Sequence, residues 1–271
     1  MTEPAGSEVD GAGAACWSTL CRAARDDVAR VLDELPTRNE REPVVGAGEG
    51  GDETTAIDAA AERAILRHFA GNRIVSEEAG IHGEGRYSVV VDPIDGSLNA
   101  KRGIPFFSIS IAVAEGEAMD DVVFGYVHDF GTGEEWTAAR GEGAFLNGVP
   151  LVEEPKRELE ILSFEATTLA YVTENAARFE GLAHRLRIMG SLAISLCHLA
   201  AGRIDGVVSL KPARSVDIAA AQLLVRERGF AIDLPDAPPF GSAPLDLAGR
   251  SRVVAAGNRE LCRTLATALT T

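Results

Sequence analysis

Apolar residues recur every three or four positions in two stretches near the start of the chain. That spacing is typical of amphipathic helices and predicts one helix over residues 15–35 and a second over residues 54–69. Pro36 ends the first helix because proline cannot continue the backbone hydrogen bonds. Residues 36–53 are rich in Gly, Pro and Glu, which predicts a mobile loop between the helices.

Alternating and β-branched residues predict four short strands after the second helix, over residues 73–78, 88–92, 106–115 and 122–130. Glycine-containing turns separate these segments, so the first half of the chain is expected to be α+β with an antiparallel sheet. From about residue 158, shorter β and α segments alternate, which predicts an α/β arrangement.

The change of pattern at residues 152–158 predicts two domains, over residues 15–152 and 158–271. Residues 1–14 are expected to form a disordered tail, which lacks the basic and apolar regions of a signal peptide. No apolar run approaches the roughly 18 to 20 residues that a membrane span needs. We therefore expect a cytoplasmic protein.

Charge narrows the possible partners. The formal net charge is −15 at pH 7, without a basic stripe, which argues against nucleic acids and anionic membranes as partners. Lys101, Lys156 and Lys211 are the only lysines among 26 basic residues. An acidic, lysine-poor surface suggests a halophilic archaeon, although a GC-rich genome would favour the same bias. The four cysteines show no zinc spacing and are expected to be free, buried thiols.

Two aspartates, Asp92 and Asp95, stand three positions apart around a proline. A run of valines predicts a buried strand that leads into Asp92, and Pro93 turns the chain sharply. This turn can direct both carboxylates and the carbonyl oxygen of Ile94 towards one point, which suits a hard cation such as Mg²⁺.

The same motif continues with Gly96 and Ser97. Gly96 lets the backbone approach a ligand closely. If a helix begins there, the amides of Gly96 and Ser97 would hold a phosphate. For these dipeptides alone, a turn without a ligand is the simpler interpretation.

Other carboxylates change that balance. Glu77 and Glu78 end a predicted strand, and Asp217 opens a predicted helix, where the helix dipole favours a carboxylate. Separately, each is better explained as a solvated strand end or as an acid at a helix start. Together with the aspartate turn, they predict a site for more than one divalent cation.

Five segments carry a resemblance to a known family: GDETTAID (51–58), IVSEE (74–78), VDPIDGSLN (91–99), GEGAFLNG (141–148) and SVDIAAA (215–221). They resemble the lithium-sensitive, magnesium-dependent phosphatases of the inositol monophosphatase and fructose-1,6-bisphosphatase superfamily, in particular its archaeal dual-activity branch. The resemblance runs from about residue 15 to the C-terminus. It implies a layered αβαβα sandwich, a homodimer, and phosphomonoester hydrolysis by metal-activated water without a phosphoenzyme.

The resemblance also implies two or three Mg²⁺ ions per site. Glu77, Asp92 and the Ile94 carbonyl would bind the first ion, and Asp92, Asp95 and Asp217 the second. Glu77 would also help to hold a third, weaker ion.

Catalytic and substrate-binding roles follow from the same resemblance. Ser97 would pair with Asp58 to take the proton of the attacking water, and Asp52 would help to recruit the third ion. The substrate-binding residues would be Gly96, Ser97, Gly190, Ser191, Arg187 and Arg214. For both arginines, an exposed salt bridge is the default interpretation.

Some positions depart from the family. Val216 and Ala221 stand where the animal inositol enzymes have Trp and Gly, and Ser209 stands where those enzymes have a Glu that contacts inositol hydroxyls. Strict selectivity for inositol is therefore not expected. The resemblance leaves fructose 1,6-bisphosphate, inositol 1-phosphate and NADP(H) as candidate substrates.

Three other functions are less consistent with the sequence. An aspartyl-phosphate phosphatase would have its aspartates two apart, not three. The glycine run over residues 46–51 follows only a weak predicted strand, Val44-Val45, and does not open a helix as a dinucleotide-binding motif does. A non-catalytic metal-binding regulator would be expected to lack Ser97, Asp58 or a metal ligand, and all of these residues are present.

Overall fold

The computed structural model describes residues 13–49, 53–165, 168–237 and 239–270. The α-helices of these residues are α1 (Ala14–Glu34), α2 (Arg38–Arg41), α3 (Ala56–Leu66), α4 (Ser97–Arg102), α5 (Leu169–Asn175), α6 (Leu192–Ala200), α7 (Ser215–Glu227) and α8 (Arg259–Thr270). The strands are β1 (Val44–Ala47), β2 (Glu53–Thr55), β3 (Arg73–Ser76), β4 (Gly80–His82), β5 (Ser88–Asp95), β6 (Ser108–Ala114), β7 (Val122–Asp129), β8 (Glu135–Ala139), β9 (Gly143–Leu146), β10 (Val149–Pro150), β11 (Leu159–Glu165), β12 (Ala183–Arg187), β13 (Gly206–Ser209), β14 (Ala231–Asp233) and β15 (Val254–Ala256).

Most described strands belong to two larger sheets. One sheet has the order β10-β9-β8-β7-β6-β5-β3-β4, and the other has the order β12-β11-β13-β15-β14. The first is antiparallel, as predicted, except that β3 and β5 run parallel. In the second, β11 pairs parallel with β12 and β13, whereas β15 pairs antiparallel with β13 and β14.

The helices and sheets form five layers. Alternate residues of a strand point to opposite faces, and β5 shows this clearly. Val89 packs in one core with α1 and α3, whereas Val90 packs in a second core with α6 and α7. The smaller sheet closes this second core, and its other face packs on α8. The order α1/α3, large sheet, α6/α7, small sheet, α8 confirms the expected αβαβα sandwich.

Residues 36–53 differ from the predicted loop. They contain the helix α2 and the strand β1, which pairs antiparallel with β2. The prediction of a continuous loop is therefore wrong for the described part of this segment. Backbone hydrogen bonds between β1 and β2 stabilise this segment, and local composition does not predict which strands pair.

The predicted helices lie close to their expected positions. The first helix is α1, which begins at Ala14, and the second begins at Ala56 because Thr55 and Asp58 form a capping box. The expected disordered tail falls mainly on residues 1–12, which lie outside the described residues. The predicted two-domain division stays a prediction, and the second core joins elements from both sides of residues 152–158.

Two further expectations concern the cysteines and the membrane. The four cysteines are free, as expected, but Cys16 is exposed rather than buried. Within the residues that the structure describes, every helix is too short or too polar to cross a bilayer.

Candidate active site

The strand β5 carries Asp92 and Asp95 on one face. Asp92 pairs with Ser110 of β6 and Asp95 with Ser108, so β5 holds one residue more than its partner between these pairs. This β-bulge contains Pro93, which has no amide hydrogen to give to the ladder. Ser108 and Ser110 are two positions apart and share a face, so the bulge brings both aspartates to that face as well.

Parallel pairing places Glu77 beside this strand. Glu77 follows β3 directly, and β3 runs parallel to β5 in register from Arg73 opposite Ser88. The carboxyl ends of parallel neighbours meet at one edge of a sheet. Asp217 reaches the same point from the first turn of α7, where its Oδ2 accepts a hydrogen bond from the amide of Arg214 at 2.7 Å.

Glu77, Asp92 and Asp217 each present a carboxylate oxygen within 4.8 Å of the others. Carboxylates at this separation suit a hard divalent cation, which prefers oxygen ligands. Asp95 lines the same cavity of about 340 Å³. Its Oδ2 accepts hydrogen bonds from Ser191 Oγ at 2.5 Å and from the amide of Ala193 at 2.8 Å.

Burial and mutual repulsion disfavour ionisation in this cluster. Burial raises the pKa of Glu77 to about 8, and the charge of Asp217 adds to this increase against the effect of Arg214. Burial likewise raises the pKa of Asp95 to about 7, although the hydrogen bond from Ser191 opposes it. Burial and the charge of Glu77 also raise the pKa of Asp92. A divalent cation would relieve this repulsion, so the residues present fit a metal site.

Arg214 supplies a positive charge inside the cluster. Its side chain is buried, and it donates to Glu77 and, at 3.4 Å, to Oδ1 of Asp217. Burial works against the charged form of Arg214, but Asp217, Glu77 and Asp92 outweigh it and raise the pKa of the guanidinium. The alternative of an exposed salt bridge is therefore wrong for Arg214.

Arg187 lies elsewhere. It is exposed on β12, the edge strand of the smaller sheet, and donates to the carbonyl of Leu186 at 2.9 Å. It is not among the residues that line the cavity. The structure therefore does not bring Arg187 to the substrate site, because its strand directs the side chain to the surface.

Gly96 and Ser97 occupy the start of α4. Gly96 adopts φ 89°, and an added Cβ would lie 2.9 Å from the carbonyl oxygen of Gly190. Only glycine fits this left-handed, closely packed position. Ser97 is the first residue of α4 and lines the cavity together with Ile94 and Gly96.

Asp58 has partners other than the expected one. Its Oδ2 accepts a hydrogen bond from Thr55 Oγ1 at 2.5 Å and lies 3.2 Å from Lys101 Nζ. Ser97 and Asp58 line the same cavity. The expected pairing of these two side chains stays a prediction. Asp52 lies outside the described residues.

Gly190 and Glu165 also line the cavity. Ser191, which we expected there, is 1% exposed and caps α6, so its hydroxyl contacts Asp95 rather than the cavity. Sequence reasoning missed Glu165 and Lys101. Both could have been found from the sequence. Glu165 is an acid at the end of the predicted strand LEILSFE, and Lys101 lies one helical turn after Ser97.

The sequence profile of the inositol monophosphatase family matches residues 15–270. The chain belongs to the inositol monophosphatase family. The resemblance found in its motifs is thereby confirmed, and this family member is an enzyme, a phosphatase of a metal-dependent family.

Individual relatives support the assignment of this protein to the inositol monophosphatase family. The fructose-1,6-bisphosphatase/inositol-1-monophosphatase of Archaeoglobus fulgidus is 32% identical over 245 residues, which cover 89% of this chain and 93% of that protein. A solved structure of an inositol monophosphatase-fructose 1,6-bisphosphatase has a TM-score of 0.82 at 26% identity, and covers 93% of this chain and 99% of that chain. The bifunctional NADP phosphatase/NAD kinase of Methanocaldococcus jannaschii is 29% identical over 74% of this chain and 42% of its own length.

Proposed function

We propose that this protein is a Mg²⁺-dependent phosphatase that hydrolyses fructose 1,6-bisphosphate and inositol 1-phosphate. The observation that carries the proposal is the convergence of Glu77, Asp92 and Asp217 within 4.8 Å, although 140 residues separate the first from the last along the chain (217 − 77). The curated name of the Archaeoglobus relative includes both activities.

The metal would be held by oxygen donors from three elements. Glu77, Asp92 and the Ile94 carbonyl form one proposed ligand set, and Asp92, Asp95 and Asp217 form the second. Bound Mg²⁺ would neutralise charge on the phosphoryl and leaving oxygens and lower the pKa of the attacking water. We propose two or three ions per site, the third supported by Glu77 and Asp52.

The remaining residues would bind the phosphate and move a proton. Amides of Gly96 and Ser97 point towards a phosphate at the start of α4 in this proposal, and Lys101 adds a positive charge on the same helix. Ser97 and Asp58 would accept the proton of the attacking water. Because water attacks phosphorus directly, no phosphoenzyme forms.

Selectivity would be broad at the sugar end of the cavity. Ser209 lines this end, and its hydroxyl donates to the carbonyl of Lys211. A serine at this position offers no negative charge that would repel a second phosphate, whereas the adjacent Lys211 carries a positive one. This supports activity on a bisphosphate as well as on a monophosphate.

A phosphate-release assay tests the proposal. Fructose 1,6-bisphosphate, inositol 1-phosphate and NADP would be compared at equal concentration with Mg²⁺ and with EDTA. We expect Mg²⁺-dependent release from the first two. Faster release from NADP would favour the alternative suggested by the NADP phosphatase relative, and no release from any ester would favour a non-catalytic metal-binding regulator.

The assay needs a matched inactive protein. Asp217→Asn removes a proposed ligand while keeping the size of the side chain and its place in α7. Equal Mg²⁺-dependent release by this variant would overturn the proposed site. We further propose that the enzyme acts in the cytoplasm of a halophilic archaeon and forms a homodimer. Size-exclusion chromatography with light scattering would test the homodimer, and stability in salt would test the halophilic source.

A further inference from the structure

Glu165 is a buried carboxylate on the wall of the cavity. It is the last residue of β11 and pairs in parallel register with Ser209 of β13. Only 6% of the residue is exposed, yet it lines the same cavity as the acidic cluster. Glu165 is not among the proposed metal ligands, so its burial needs a separate explanation.

Three donors converge on this carboxylate. Its Oε1 accepts hydrogen bonds from Ser195 Oγ at 2.6 Å and from Ser163 Oγ at 3.1 Å, and its Oε2 accepts one from the amide of Gly190 at 3.0 Å. A carboxylate has only acceptors and can serve all three donors, whereas a glutamine amide offers one oxygen. The position therefore selects glutamate over its neutral analogue.

Two of these donors belong to the segment that holds Asp95. Gly190 and Ser195 flank Ser191 and Ala193, whose hydroxyl and amide bind Asp95 Oδ2. Glu165 thus anchors both ends of a six-residue segment, and the middle of that segment orients Asp95.

We propose that Glu165 is a positioning residue that fixes residues 190–195 and thereby sets the orientation of Asp95 for metal binding. This inference rests on the proposed function for its effect on turnover. Its effect on metal affinity can be measured without any substrate. Replacing a group that hydrogen-bonds a metal ligand directly typically changes metal affinity about 10- to 100-fold. Glu165 acts on Asp95 through the intervening segment, so we expect the lower end of that range.

The direct experiment is a titration with Mn²⁺ alone, followed by electron paramagnetic resonance of the free ion. In Glu165→Gln we expect the dissociation constant to rise about tenfold. Ser163→Ala is the matched control because Ser163 donates to Glu165 but lies outside residues 190–195, and we expect its affinity to stay within about twofold of the wild type. Ser195→Ala removes one anchor and should fall between the two.

Turnover measured as a function of Mg²⁺ concentration distinguishes a positioning role of Glu165 from general destabilisation of the fold. In Glu165→Gln the Mg²⁺ concentration for half-maximal phosphate release should rise, whereas kcat at saturating Mg²⁺ should stay within about threefold of the wild type because the lost orientation is restored by mass action. A merely structural role would reduce the active fraction at every Mg²⁺ concentration.

Two results would overturn the proposal: an unchanged Mn²⁺ affinity in Glu165→Gln, or an equal loss in Ser163→Ala. If the wild type releases no phosphate from any ester, the proposed function fails, and the Mn²⁺ titration still decides the role of Glu165.

Discussion

Arg214 donates a hydrogen bond to Glu77, which lies 137 positions earlier in the chain. The guanidinium occupies the acidic cluster and partly balances its negative charge. We predict that Arg214→Met destabilises the metal-free protein by about 3 kcal/mol, since removing one partner leaves buried carboxylates uncompensated. Thermal melting in EDTA measures this loss.

Saturating Mg²⁺ should shrink the difference between Arg214→Met and the wild type because the metal replaces the missing positive charge. Arg187→Met is the control, since it removes the same charge from an exposed edge strand and should change the melting temperature little. An equal deficit for Arg214→Met with and without Mg²⁺ would contradict the electrostatic explanation.

The metal-free protein should lose stability as pH rises. The pKa of Glu77 rises from 4.5 to about 8 in the folded protein, and that of Asp95 rises from 3.8 to about 7, chiefly through burial. In this window the folded state binds more protons than the unfolded chain, so the free energy of unfolding falls from about pH 4 towards pH 8. Melting temperatures in EDTA across that range measure the slope.

Two comparisons check the cause of this pH dependence. Saturating Mg²⁺ should abolish or reverse the slope because ionised carboxylates become ligands and protons compete with the metal. The double variant Glu77→Gln/Asp95→Asn should reduce the slope in EDTA, while burial of Asp92 and Glu165, which also raises their pKa, accounts for part of the slope that remains. An unchanged slope in this variant would assign the pH dependence to other groups.

Asp95→Asn should abolish turnover without unfolding the protein. Loss of a ligand that holds the metal is expected to reduce kcat/KM by about a thousandfold, the equivalent of several kcal/mol of charge stabilisation. Phosphate release measures the loss, and circular dichroism checks the fold. Glu158→Gln, an equal change of charge at an exposed position that does not line the cavity, serves as control.

Asp58 has two candidate hydroxyl partners: Thr55, which donates a hydrogen bond to it, and Ser97, which is its proposed catalytic partner. Ser97→Ala should lower kcat about 10²-fold with little change in KM, since the proposed proton acceptor is lost. Thr55→Ala removes the hydroxyl that binds Asp58 at 2.5 Å and should chiefly cost about 1 kcal/mol of stability through the lost cap. The reverse pattern would make Thr55 the functional partner.

Molar salt should stabilise the fold. The chain carries 41 acidic and 26 basic residues, so its surface repels itself at low ionic strength. The screening length is roughly 8 Å at physiological salt and becomes shorter as salt is added, which weakens this repulsion. We therefore expect the melting temperature to rise by several degrees between dilute buffer and about 2 M KCl. No rise would remove the support for a halophilic source.

The sequence by itself determined the local elements and the chemistry of the site. The valine run before Asp92 predicts a buried strand, and the helix α7 begins where its apolar periodicity begins, because periodicity reflects which face of an element is buried. The motif around Asp92 and Asp95 also indicated oxygen ligands for a hard cation, since carboxylate chemistry does not depend on the fold.

Only the tertiary structure decided which groups meet. The one-residue bulge in β5 brings Asp92 and Asp95 to one face, and the parallel pairing of β3 with β5 brings Glu77 to the same edge. Burial of Arg214 and the hydrogen bonds that Gly190 and Ser195 donate to Glu165 depend on contacts between elements far apart in the chain. Such contacts arise from packing and strand register, and neither is encoded in the spacing of neighbouring residues.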